Sequence, residues 1–303
     1  MRDAAPSARR VLLGLLTAGT LAACGPEGDT IIVSGASGQL GGLVVDELLE
    51  RGVEPERLIL VSRTLEGLEK YADLGAETRF GDFAQPESLA AAYEGGDRLL
   101  LISIDTGVGA ERAELHRNAV DAAVAAGVRH IVYTSFVDLD NNDSPLAADH
   151  RRTEQFIRDS GMEWTMLRNS LYMNGITSRA ARMVADGSVA RADVGGVAYV
   201  TREDCAAAAA AVLATEGHEG RAYDITGPEV VYPQDIARVT SEVTGVTITV
   251  GEPDSSASPT PPPPGNPSFA VVSTAVRDLT GRPAQSILDF LTANRGVVLA
   301  GPR

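Results

Sequence analysis

Apolar residues in this chain come in short β-branched runs, and the segments between them repeat at helical spacing. Thr30 to Val33 is such a run, and Leu43 to Leu49 follows as an amphipathic helix. The alternation continues to about Arg168. Leu58–Val61 predicts the second strand, and a third strand precedes Gly81. Leu99–Ile102 is continuously apolar, as in a strand buried on both faces. Arg112–Ala126 predicts a helix ended by Gly127, and Ile131–Thr134 the next strand. Pro145–Ser160 predicts a helix closed by Gly161, then Trp164–Leu167 a strand. Repeated β-α-β units of this kind imply a parallel, doubly wound α/β sheet with right-handed crossovers.

Beyond Asn169 the rhythm loosens. Ala180–Ala185 and Glu203–Ala214 predict helices, Ala198–Val200 an extended stretch, and Ala222–Ile225 a strand. Pro233–Val243 predicts a helix marked at its end by Gly245, and Thr247–Val250 a strand. Glu252–Ser268 then holds seven prolines and four serines, a composition that builds no core. Order resumes at Phe269–Val272, followed by helices over Thr274–Leu279 and Gln285–Ala293. The expected architecture is a Rossmann sheet over 25–168. A small C-terminal α/β substrate region over 169–303 completes it, with a proline-rich loop at 252–268.

At 303 residues and 44% hydrophobic, the chain suits one or two domains with a full core. Its net charge of −15, with Lys70 the one lysine among 26 basic residues, argues against a nucleic-acid partner. The first 24 residues read as a leader. Arg2, Arg9 and Arg10 precede the apolar run Val11–Ala23, which is too short to span a bilayer but suits a signal peptide. Leu21-Ala22-Ala23-Cys24 resembles a bacterial lipobox, with Cys24 as the lipidated residue, and Arg9-Arg10 resembles a twin-arginine signal. The expectation is an extracytoplasmic lipoprotein that meets a membrane through its lipid anchor. The alternative is a cytoplasmic protein with a mis-called start, although no methionine lies between Met1 and Met162. Cys205, at the head of the Ala206–Ala211 run, reads as a small buried residue rather than a nucleophile.

Ligands of doubly wound sheets bind beyond the carboxyl ends of the strands, so the residues after each strand carry the chemistry. The first strand runs into Gly35-Ala36-Ser37-Gly38-Gln39-Leu40-Gly41, a G-x-x-G-x-x-G turn opening a helix. Gly35 permits the turn, Gly38 lets phosphates approach the backbone, and Gly41 lets the helix pack on the strand. The second strand ends at Ser62-Arg63. An arginine there suits the 2′-phosphate of NADP(H) better than the bare ribose of NAD(H), the alternative being a solvated surface arginine. After the third strand, Asp82 either accepts from an adenine amino group beside Phe83 or caps the helix that begins near Pro86. Ser103, Ile104 and Asp105 lie where the chain passes beneath the nicotinamide ribose, and Asp105-Thr106-Gly107 reads equally as a plain turn. Tyr133-Thr134-Ser135-Phe136 occupies the strand that carries the catalytic serine or threonine in short-chain dehydrogenases. The Tyr-x-x-x-Lys pair of such enzymes is replaced here by His150-Arg151-Arg152-Thr153-Glu154. Glutamate cannot lower a phenol pKa as an ammonium does. His150 is either a proton donor near neutral pH or a structural histidine.

Taken in order with Leu167-Arg168-Asn169-Ser170-Leu171-Tyr172-Met173-Asn174, Thr201-Arg202-Glu203-Asp204 and Val276–Pro283, these motifs make the chain resemble the atypical, NmrA-like short-chain dehydrogenases. Within that group the chain resembles bacterial NADPH-dependent quinone oxidoreductases and triphenylmethane-dye reductases, over about residues 30–250 and 269–295. The resemblance implies that the glycine loop and Arg63 hold NADPH, and that Asn169 and Tyr172 lie at the junction of cofactor and substrate. Phe136 and His150 join Tyr172 on the substrate side. Hydride would pass directly to a quinone or dye-like planar acceptor without flavin or metal. The proline-rich segment stands where relatives carry a longer helical stretch that helps roof the pocket, which leaves the lid different here. The leading expectation is an NAD(P)H-dependent oxidoreductase, with a homodimer as an assembly to test. The alternative is a non-catalytic NADP(H)-binding sensor or interaction module.

Overall fold

The computed structural model describes residues 28–104, 110–142, 144–191, 195–252 and 269–301. Cys24, Asp105 and positions 253–268 of the proline-rich segment lie outside the described residues.

Seven parallel strands form the central sheet. They are β1 (Ile31–Ser34), β2 (Leu58–Ser62), β3 (Glu77–Phe80), β4 (Arg98–Leu101), β5 (His130–Phe136), β6 (Glu163–Asn169) and, after the intervening β7 (Ser188–Ala190), β8 (Arg221–Ile225). Their order is β3-β2-β1-β4-β5-β6-β8. Register follows from the apolar runs, with Ile32 opposite Ile59 on one side and Leu99 on the other. Successive side chains of a strand point to opposite faces, so each run feeds two cores. Ile31, Val33, Leu58 and Leu60 pack with α1 (Gln39–Glu50) and α7 (Arg202–Ala214). Ile32, Ile59, Leu99 and Leu101 pack with α3 (Pro86–Tyr93) and α4 (Ala110–Ala125), and Ile131 and Met166 with α5 (Pro145–Asp159). The sheet is thus the Rossmann fold that the alternation predicts. The order in which strands are added reverses between β1 and β4, which opens the crevice used for ligands in such sheets.

Between Ala206 and Ala211 every residue of α7 is buried. Methyl side chains let α7 lie close on α1 while removing little water-accessible polar surface. Cys205, 2% exposed, has its thiol pKa pushed well up by burial and by Asp204 and Glu203, which keeps it an inert thiol.

The second half of the chain departs from the predicted boundaries. The helix expected over Ala180–Ala185 is α6, Asn174–Asp186. Its first turn, Asn174 to Thr177, has weak helix propensity, and burial of Ile176 in a third core overrides it. Ala198–Val200 is no strand but sits between single bridges, Tyr172 with Val200 and Val197 with Val231. The last predicted strand is β9 (Thr249–Gly251), which pairs with β7 outside the main sheet. Both are short and largely solvent-facing, so no apolar pattern marks them. The third core joins α6 to α8 (Pro233–Thr244), α10 (Ile287–Ala293) and α11 (Arg295–Leu299), while α9 (Ala275–Thr280) packs on α7. The four-residue α2 (Glu69–Ala72) and α11 are too short for periodicity to reveal. Among the described residues no helix is long and apolar enough to cross a membrane.

Glu154 of α5 locks that helix to the sheet. It is fully buried and accepts from Ser135 Oγ at 2.7 Å, Arg168 Nε at 3.0 Å and Arg158 Nη2 at 2.8 Å. Burial alone would raise its pKa, but the hydrogen bonds from Arg168 and Ser135 and the Arg168 charge outweigh it and hold the carboxyl below its ordinary value. A lowered folded pKa gives stability that is full at neutral pH and is lost as pH falls below about 4. Glu154→Ala should cost about 3 kcal/mol at pH 7, because it leaves the poorly exposed Arg168 guanidinium without its buried partner. Urea melts of both proteins should differ fully at pH 7 and converge only as pH is lowered below about 4; a gap that does not narrow there contradicts the assignment.

Candidate active site

Above the β1–β4 switch point lies a cleft of about 490 Å³. Its floor is the glycine turn. Gly35 takes φ +98°, and its N–H and that of Ala36 donate to Val61 O of β2 at 2.8 and 3.1 Å. The turn is therefore tied to the neighbouring strand before α1 begins. Ser37, Gly38, Gln39, Leu40 and Gly41 line the cleft, whereas the Ala36 side chain is buried in the core. At Gly41 a Cβ would fall 2.2 Å from Gly35 O and 2.8 Å from Ala36 Cα, so this position admits glycine and nothing larger. Gly38 is the N-cap of α1 and supplies no side-chain cap. First-turn N–H groups of the helix thus remain available to an anion at its positive end.

Beside the turn, Ser37 Oγ and Ser62 Oγ are hydrogen-bonded at 2.5 Å. Arg63 follows, exposed on the rim, with no hydrogen bond or ion pair among the described residues. Asp82 and Phe83 form the next part of the wall. Asp82 is not the helix cap: Gln85 holds the N-cap position of α3, and Asp82 Oδ1 accepts from Ala84 N at 3.0 Å in a local turn. Phe83 stands edge-on to His116 with centroids 6.2 Å apart, and its carbonyl accepts from Asn118.

The far wall is the strap Ser103–Ile104 after β4. Ser103 N donates to Thr134 Oγ1 at 2.8 Å, and Thr134 Oγ1 donates to Ser103 Oγ at 3.2 Å. Ile104 N donates to His116 Nε2 at 3.1 Å, and Ile104 O accepts from Arg112 Nε at 2.9 Å. A buried histidine and a buried arginine therefore pin both polar groups of one cleft residue. His116 accepts at Nε2, so its proton sits on Nδ1, which donates to Thr153 Oγ1 at 3.0 Å. Burial and the Arg112 charge lower its pKa to about 3, so it stays neutral.

His150 is not where a proton donor would have to be. It is 4% exposed, behind the wall. Arg112 Nη2 donates to its Nε2 at 3.2 Å, and its Nδ1 donates to the Tyr133 hydroxyl at 2.8 Å. Burial first, then Arg112 and His116, hold its pKa well below the ordinary histidine value. A buried neutral imidazole with both nitrogens engaged has no proton to give at neutral pH, so of its two alternatives His150 takes the structural one, and its expected place on the substrate side is corrected because it does not line the cleft. Phe136, 7% exposed, stacks on His150 at 5.6 Å and meets Phe269 edge-on at 5.6 Å. It belongs to a small core with Val137 and Leu139 and does not line the cleft.

Tyr172 does line it. Burial raises the phenol pKa, so the hydroxyl remains protonated. Asn169 sits one layer behind, 5% exposed, with Nδ2 donating weakly to Tyr172 Oη at 3.5 Å. Asn169 Oδ1 and Ser170 Oγ are buried without partners among the described residues. Thr134 and Arg202 also line the cleft and are not among the sequence candidates. Arg202 opens α7 and places its guanidinium 4.8 Å over the Tyr172 ring. The Thr201–Asp204 and Tyr133–Ser135 motifs were its signal and that of Thr134, but neither tells which residue of the motif faces the cleft.

An uncapped helix start behind a glycine turn, at the switch point of a parallel sheet, defines a dinucleotide-binding protein. A profile for the NAD(P)H-binding family matches residues 35–216. The chain belongs to the NAD(P)H-binding, NmrA-like short-chain dehydrogenase/reductase family and is an NAD(P)H-dependent oxidoreductase. Quinone oxidoreductase 2 of Escherichia coli (strain K12) is 35% identical over 220 residues, 72% of this chain and 76% of its own. A (4-alkanoyl-5-oxo-2,5-dihydrofuran-3-yl)methyl phosphate reductase of Streptomyces griseus is 33% identical over 281 residues, 86% of this chain and 96% of its own. The crystal structure of Citrobacter sp. triphenylmethane reductase complexed with NADP(H) has a TM-score of 0.78 at 32% identity, covering 88% of this chain and 99% of that one.

Proposed function

We propose that this protein binds NADPH in preference to NADH and reduces a planar, conjugated acceptor of the quinone type, neutral or anionic. The observation that carries the reading is what became of the alcohol-dehydrogenase dyad. Its two positions in α5 are His150 and Glu154, and both are committed to buried structural bonds. A site without a poised acid suits an acceptor that takes hydride readily and needs little proton assistance.

The residues present fit the cofactor. The α1 N-terminus and the Gly35–Gly41 backbone would hold the pyrophosphate, Arg63 the 2′-phosphate, and Asp82 and Phe83 the adenine side. Ser103, Ile104 and Thr134 would border the nicotinamide half, where the unpaired Asn169 Oδ1 supplies a buried acceptor. When bound, the dinucleotide supplies a hydride, two electrons and one proton, from its nicotinamide ring. Tyr172, kept protonated by burial, would donate a hydrogen bond to an acceptor oxygen as negative charge develops there. The second proton would come from water in the open cleft.

Arg202 sets the charge preference. A guanidinium at the acceptor end disfavours a cationic dye and favours an anionic substituent. The Streptomyces relative, by its name, reduces a phosphate ester. Arg202→Ala should lower kcat/KM for a carboxylated benzoquinone about tenfold, about 1.4 kcal/mol, while leaving unsubstituted benzoquinone within about twofold. Equal losses on both acceptors would show that Arg202 merely supports Tyr172. NADPH oxidation at 340 nm with each acceptor is the assay.

A further inference from the structure

The opposite end of the sheet carries a second constellation. Among the described residues, one trio places a histidine ring nitrogen and two carboxylate oxygens within 4.8 Å of one another: His130, Glu163 and Glu219. His130 opens β5, and Glu163 opens β6 directly opposite it in register. Glu219 lies in the turn between α7 and β8. The three are far apart in sequence, so no spacing motif announces them. They sit at the amino ends of the strands, whereas the dinucleotide cleft lies over the carboxyl ends.

The hydrogen bonds around His130 determine its tautomer. Thr165 Oγ1 donates its single proton to His218 O at 2.7 Å. It must therefore accept from His130 Nε2–H, 2.9 Å away. The lone pair is left on Nδ1, and that atom is buried with no partner among the described residues, in a side chain that is 0% exposed. A buried, neutral imidazole nitrogen without a donor is an open ligand position. The Nε2–H bond to Thr165 is the kind of supporting contact that orients ligating histidines.

Charge in the neighbourhood leaves room for a cation. Asp29 Oδ2 accepts from Arg98 Nε at 2.6 Å and from Arg129 Nη2 at 2.5 Å, and Arg129 Nη1 reaches Glu163 at 3.0 Å. Three carboxylates, Asp29, Glu163 and Glu219, face these two guanidiniums, and Glu219 makes no ion pair among the described residues.

We propose that His130 Nδ1, Glu163 and Glu219 bind a divalent first-row cation of the zinc class, at a structural site distinct from the cofactor cleft. One imidazole nitrogen and two carboxylate oxygens suit zinc, with water completing a tetrahedron. Ligands at about 2.0 Å from the metal stand about 3.3 Å apart, so the exposed Glu163 and half-buried Glu219 side chains swing inward on binding. The ion would clamp β5, β6 and the α7–β8 turn together, and so stabilise the folded chain in proportion to its occupancy.

The test is a cobalt titration of the chelator-treated full chain, followed by visible absorption, with zinc as competitor. One equivalent of Co²⁺ should bind with micromolar affinity, show the comparatively intense visible ligand-field bands of a four-coordinate site, be displaced by Zn²⁺, and raise the melting temperature. Glu219→Gln, at a half-buried turn position, should weaken binding at least about tenfold and leave NADPH affinity unchanged. His130→Gln should abolish binding, and if that variant fails to fold, Glu219→Gln decides alone. Absence of saturable binding, thiolate charge-transfer bands, or unchanged affinity in Glu219→Gln would each overturn the site.

Discussion

Replacing Gly41 by alanine should abolish dinucleotide binding and destabilise the fold by about 3 kcal/mol or more. The added methyl carbon would stand 2.2 Å from Gly35 O and 2.8 Å from Ala36 Cα. Both are backbone atoms, so no rotamer change relieves the clash. Helix α1 must back away from the turn, and the N–H groups that face the cleft go with it. The neighbouring position is the control. At Gly42 the nearest atom to a new Cβ is Tyr71 Oη at 3.7 Å, an ordinary contact, so Gly42→Ala should melt near the wild type. Gly38→Val separates the two effects. Its nearest backbone contact is Gly35 O at 3.2 Å, and its side chain projects into the cleft. That variant should fold yet lose the cofactor, as read by thermal melts and nucleotide fluorescence together. Retained binding in Gly38→Val would reduce the glycine loop to a turn.

Arg63→Ala should weaken NADPH about 30-fold, the loss of about 2 kcal/mol of charge-assisted hydrogen bonding, and change NADH by no more than about twofold. Arg63 has no partner among the described residues, so its removal should alter stability by no more than about 0.5 kcal/mol. The selectivity ratio therefore reads the 2′-phosphate contact with little structural background. Equal losses for the two nucleotides would contradict the role given to Arg63.

What the sequence made legible is what is local. The Gly35–Gly41 turn, its strand and its helix are contiguous, and each glycine answers a steric demand within a few residues. Arg63 is legible for the same reason, because it directly follows a strand whose end is plain. Leu99 to Leu101 announces a central strand by being apolar on both faces. His150 shows where this kind of reading stops. Its place in α5 is visible in the sequence, but its burial behind Tyr133 and Arg112 depends on two other elements. Whether an imidazole faces a cleft or a core is a tertiary fact. Arg202 illustrates the converse. It stands at the start of an alanine-rich helix, and nothing within that helix reveals that Tyr172 lies under its guanidinium. Phe136 closes β5 at the end of the sheet where the cleft lies, yet Phe269, far along the chain, draws it into a separate core.

The central claim is that this site passes hydride from NADPH to a quinone. The purified protein should be titrated with NADPH by nucleotide fluorescence and then mixed with benzoquinone while absorbance at 340 nm is followed. The account predicts saturable NADPH binding, tighter than NADH, and loss of the 340 nm band with turnover once quinone is added. Tight binding with no oxidation above the protein-free rate would contradict it and would leave a cofactor-sensing role in its place.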